Sequence, residues 1–172
     1  MGKFIVKSVL VSALCVGVVA IANAADFSKF KQLAEDTMKE VNGGSVGDVD
    51  KLIKMQEEMM AIGVKACEEY AAKRPDDAKM LNLVATNADK MKGMSLTEIE
   101  AQWHEKGFLK SQGIDSALLE EKSLTGSLMD TVVHPATAII ALNDYKKSKD
   151  KALLEQVNDE LKEVVHHVEM IK

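Results

Sequence analysis

Apolar residues recur at three- and four-residue spacing along almost the whole chain, and that spacing predicts helices. Residues 27–41 place Phe27, Phe30, Leu33, Ala34, Thr37, Met38 and Val41 on one face. Asn42-Gly43-Gly44-Ser45 ends that helix, because glycine accepts the positive φ of a helix stop. A second helix is predicted from about Asp48, a suitable N-cap, to Lys73, with Val49, Leu52, Ile53, Met60, Gly63, Cys67 and Tyr70 inward. Arg74-Pro75 stops it, and Asp76 or Asp77 opens a third with Leu81, Val84, Ala85, Ala88 and Met91 on one side. Ser95-Leu-Thr-Glu98 has the form of a capping box and starts a short helix over about 95–106, carrying Leu96, Ile99 and Trp103. Gly107 and Gly113 bracket a loop, and a long helix is predicted over 115–147. The last begins near Asp150, with Leu154, Val157, Leu161, Val164, Val165, Val168 and Ile171 as its stripe.

No stretch alternates with the period of two that marks a half-buried strand, and no repeat or low-complexity segment interrupts the helices. The predicted fold is all-α, an antiparallel four-helix bundle with the short 95–106 helix added at one end. Pro135 lies inside the longest helical pattern. It removes an amide that would bond to the carbonyl of Thr131, so it either kinks one helix or begins a second.

The first 24 residues break the amphipathic pattern. Lys3 and Lys7 precede an apolar run from Val9 to Ile21, and Ala22-Asn23-Ala24 supplies small residues for cleavage before Ala25. The expected organisation is a signal peptide over 1–24 and one domain over 25–172, with a periplasmic or secreted destination and no stable membrane anchor. The apolar run is shorter than the roughly 20 residues that span a bilayer. Losing Lys3 and Lys7 takes the formal net charge from −5 to −7, an acidic surface that argues against nucleic acid as partner. Cys67 is then the only cysteine, so no internal disulfide forms; it is expected as a buried small hydrophobe, with an intermolecular bridge or metal ligation as alternatives.

Asp130 and His134 stand four apart and so share a helix face, together with Thr131, Ser127, Ala138 and Ala141. A carboxylate beside an imidazole fixes its tautomer, which makes Asp130, Thr131 and His134 candidate ligand-binding residues. The alternative is a tight seam in which His134 bonds backbone left bare by the proline, or a homodimer through the small side chains around Ala138. His166 is expected in solvent, His167 at the edge of the last stripe and His104 half exposed beside Trp103.

Methionine is unusually frequent, with Met55 and Met59 one turn apart and Met91 and Met94 spaced M-x-x-M. Thioethers are soft ligands, so these four with His167 are candidates for copper; the alternative is that they fill gaps in a core short of aromatics. A non-covalent b-type haem needs two axial side chains on facing helices, for which Met38 and His167 are the candidates. In its exported four-helix plan, early methionine and late histidine, the chain resembles the small periplasmic haem-b bundle cytochromes. That resemblance implies haem between the helices. No C-x-x-C-H is present, so c-type haem is excluded.

The chain contains no H-E-x-x-H, G-x-S-x-G or phosphate-binding glycine loop. Glu163-x-x-His166 has the form of a di-iron ligand pair but falls on the predicted solvent face and has no second copy. The expectation is a binding or interaction protein rather than an enzyme, acting on an unknown protein or small ligand, a chaperone-like role included. Metal or haem binding is the alternative.

Overall fold

The computed structural model describes residues 25–120 and 123–171; the expected signal segment lies outside them. The described chain is helical throughout, with no strand. Five helices exceed three turns: α1 (Phe27–Val41), α2 (Val49–Lys73), α3 (Pro75–Met91), α6 (Leu124–Ser148) and α7 (Ala152–Met170). Between α3 and α6 lie α4 (Leu96–Ile99), which runs into a π-helical turn at Glu100–His104, then α5 (Gly107–Ser111) and a 3-10 turn at Ser116–Leu119.

Local chemistry accounts for most boundaries. The Asp26 carboxylate accepts from Lys29 N at 3.0 Å to open α1, and Asp48 accepts from Lys51 N at 2.9 Å to open α2. Gly44, at φ +69°, lies in the turn that leaves α1. Pro75 occupies the first turn of α3, where its missing amide costs nothing. Ser95 and Glu98 form the predicted capping box, and the Ser95 backbone and hydroxyl hydrogen bonds hold the Glu98 carboxyl below its usual range.

The long helix begins nine residues later than its pattern predicts. Residues 116–119 make only a 3-10 turn, and α6 starts where the Ser123 hydroxyl accepts from Gly126 N at 2.9 Å. Pro135 lies within this one continuous helix. A helix-length run of apolar residues therefore hides a turn of different geometry at its start.

The α1–α2 and α2–α6 pairs run antiparallel, as paired contacts at opposite ends show. Lys29 and Lys51 of α1 and α2 reach Glu58 and Glu40 respectively. Along α2 and α6, Cys67 pairs with Leu128 and Asp50 with Lys146. In α1 and α7, Lys31 meets Glu169. Helices α1, α2, α6 and α7 contact one another in a closed cycle, and α3 packs outside against α2 and α6.

Two apolar cores result, with α6 shared between them. One joins Phe30, Ala34, Leu52, Met59, Ala138, Leu142, Leu161 and Val164. The other joins Met60, Met80, Leu81, Val84, Met91, Ile99, Trp103, Leu128 and Ile139. Packed on several sides, α6 buries an unbroken run from Thr125 to Leu142.

One close approach locks α6 against α2. Pro135 leaves the Thr131 carbonyl without its helical amide, and that oxygen faces Gly63. A Cβ at position 63 would stand 2.5 Å from Thr131 O and 2.7 Å from its Oγ1, so only glycine fits. The small-residue face read from the sequence is thus filled within the chain. Ala138, around which a homodimer seam was one alternative, is wholly buried in the first of these cores.

Candidate metal centre

Three imidazoles and two carboxylates converge where α6, α7 and the π turn meet. Asp130 and His134 project from α6 one turn apart, Glu160 and His167 from α7 two turns apart, and His104 ends the π turn. A π turn inserts an extra residue and rotates the side chains beyond it. At this one Trp103 enters the core at 1% exposure, while the next residue, His104, turns toward α6 and α7. The ring of His134 lies centrally, 5.1 Å from that of His104 and 5.7 Å, stacked, from that of His167.

The contacts are short and specific. His134 Nδ1 lies 2.7 Å from Glu160 Oε2, and His104 Nε2 lies 3.7 Å from the same oxygen. His104 Nε2 also lies 2.9 Å from Thr137 Oγ1. Thr137 Oγ1 in turn donates to Val133 O at 3.0 Å. His167 Nδ1 lies 3.4 Å from Asp130 Oδ2.

Burial pushes His104, His134 and Glu160 toward their uncharged forms. Desolvation takes His134 down to about 4, and the nearby Glu163 and Glu100 oppose this only in part. Desolvation lifts Glu160 up to about 7, against the pull of His104 and a hydrogen bond from Gln156. His104 is also lowered by burial, with Glu160 opposing. At neutral pH the imidazoles of His104 and His134 are therefore neutral, the form that ligates a metal.

Two sets of three place their ligand atoms within 4.8 Å of one another: His104, His134 and Glu160, and Asp130, His134 and His167. His134 belongs to both. Around a tetrahedral ion with bonds of about 2.0–2.2 Å, ligand atoms stand roughly 3.3 Å apart. The 2.7 and 3.7 Å contacts bracket that value, so small side-chain shifts accommodate an ion.

The residues singled out from sequence divide between this cluster and other places. Asp130, His134 and His167 belong to it. Thr131 does not: its hydroxyl donates to Leu128 O at 2.6 Å, on the side of α6 facing Gly63. Met55 and Met59 pack in one apolar core, Met91 and Met94 in the other, so the four thioethers are not brought to one point. Met38 packs at the edge of the first apolar core, and His167 belongs to the cluster around His134.

Glu163 and His166 are exposed, as their phase on α7 predicts. Cys67 is buried, donates to Leu128 O at 3.5 Å, and has its thiol pushed up to about 12, chiefly by burial. It packs as a small hydrophobe.

Sequence reading missed Glu160 and the role of His104. The one signal for Glu160 was its seven-residue spacing from His167 beside the α7 stripe. Among the described residues, no helix is long and apolar enough to cross a membrane. Comparison with protein-family models, with curated proteins and with solved structures returns no match.

Proposed function

We propose that this chain is an exported helical-bundle protein that binds a divalent d-block cation through His134, with His104, Glu160, Asp130 and His167 as the surrounding ligand set. The observation that carries this reading is the pair of ligand triads sharing one buried imidazole. A mixed imidazole and carboxylate set suits Zn, Co, Ni, Fe(II), Mn or Cu(II). It does not suit Cu(I), which prefers thioethers, or calcium, which takes oxygen alone.

Charge balance supports the same reading. Asp130 and Glu160, both ionised, bring two negative charges into a mostly buried site, and a divalent ion neutralises them. Without an ion, Glu160 meets its burial by holding a proton up to about pH 7. His104 and His134 need not lose a proton charge to ligate, since burial already keeps them neutral.

The test is metal analysis of the processed protein purified from its native compartment, followed by titration with Co(II) and Zn(II). Expected are a stoichiometric metal or a visible Co(II) ligand-field band, and a rise in stability of about 2.7 kcal/mol at free metal one hundred times Kd. Absence of both, with wild-type melting unmoved by excess metal, would overturn the reading.

A further inference from the structure

Glu69 on α2 is a partly buried carboxylate, 21% exposed, that takes no part in the metal centre. Its Oε2 accepts from Ala25 N at 3.4 Å, across 44 residues of sequence. Its Oε1 is buried with no hydrogen-bond partner, and Lys65 Nζ approaches no closer than 3.9 Å. Ala25 packs against the apolar core two residues before α1 begins. The residue that touches Glu69 is also the one that the Ala22-Asn23-Ala24 pattern makes the first of a processed chain.

From this coincidence we infer that Glu69 is the receptor for the α-ammonium of Ala25, so that signal cleavage itself completes the fold. In the uncleaved chain Ala25 N is an amide with one hydrogen, which serves one carboxylate oxygen and leaves the other orphaned. Hydrolysis of the Ala24–Ala25 bond by water releases the Ala24 carboxylate and an Ala25 amine, which takes up a proton. The resulting ammonium has three donors and a positive charge. It can satisfy both Glu69 oxygens, the buried one included, and charge-assisted bonds of this kind are roughly twice as strong as neutral ones. The device would fasten the start of α1 to α2, and it stands independently of the metal reading.

Two forms of the 25–172 chain test it, one beginning at Ala25 and one with a single glycine placed before Ala25, each with and without Glu69→Gln. Helicity by circular dichroism checks that all four fold. At pH 7 the form beginning at Ala25 is expected to melt roughly 2–4 °C above the extended form, and Glu69→Gln should remove that difference. The Ala25 amine, titrated by NMR, is expected about one unit above its ordinary value near 8, returning to it in Glu69→Gln. Equal melting of the two forms, a difference that survives Glu69→Gln, an ordinary amine titration, or a native N-terminus other than Ala25 would each overturn the inference.

Discussion

The two sides of α6 solve the same packing problem in opposite ways. Toward α2, Thr131 meets Gly63 backbone to backbone, and Cys67 behaves as an apolar filler with a thiol pushed up to about 12. Toward α7, one residue earlier and three later, Asp130 and His134 meet Glu160 and His167. The first side spends burial on shape and admits nothing. The second gathers ionisable groups, of which His134 and Glu160 are pushed by burial toward their uncharged forms, a cost that a proton or a cation relieves. Adjacent residues in sequence thus face an apolar seam and an ionisable cluster separately, because successive positions on a helix turn by about 100°.

The sharpest way to break this contrast is His134→Ala. It should weaken Co(II) or Zn(II) binding by at least 100-fold in titration calorimetry, whereas Thr131→Ser, on the other side, should leave metal affinity unchanged. Equal losses from both would show that the two sides are not distinct. Gly63→Ala tests the apolar side. Its Cβ meets backbone that cannot easily withdraw, so denaturant unfolding should show a loss of about 1–3 kcal/mol.

A third prediction concerns pH in metal-free protein. The fold raises the Glu160 carboxyl from 4.5 to about 7, so its contribution is fully present below pH 4.5 and is lost as pH rises through 7. The fold lowers His134 from 6.5 to about 4, so that contribution is present above pH 6.5 and fades toward pH 4. Glu160→Gln keeps a donor for His134 Nδ1 without the charge. Above pH 7.5, without metal, it should be more stable than the parent chain by about 2 kcal/mol in urea unfolding, and it should lose most of the metal-dependent gain. The smallest effect is expected from Glu163→Gln with His166→Ala. Both residues are exposed, and the pair should leave metal affinity within twofold by the same calorimetry.

Much of this organisation was legible in the residues. The α1 boundaries follow from its apolar spacing, and Asp130 with His134 announced a shared face by their separation of four. The start of α6 was not legible, because Ser116-Ala-Leu-Leu has helical composition and only the Ser123 cap sets the true beginning. Glu160 was hidden among Asp159 and Glu163, acidic neighbours that do face solvent. His104 was hidden by the π turn, since a wheel drawn at 100° per residue cannot anticipate an inserted one. The methionines were legible as core filler. Their helical spacing is the spacing of core, and the two apolar cores absorbed them separately.

Pro135 also governs how the candidate metal centre is registered against the rest of the molecule. A bare carbonyl seated over a lone glycine is a notch with a single position, so α6 cannot ratchet along α2 by a turn without driving a side chain into backbone. His134, next to the proline, inherits that fixed height. The imidazole at the middle of the ligand set is thereby keyed to its place from the far side of its own helix.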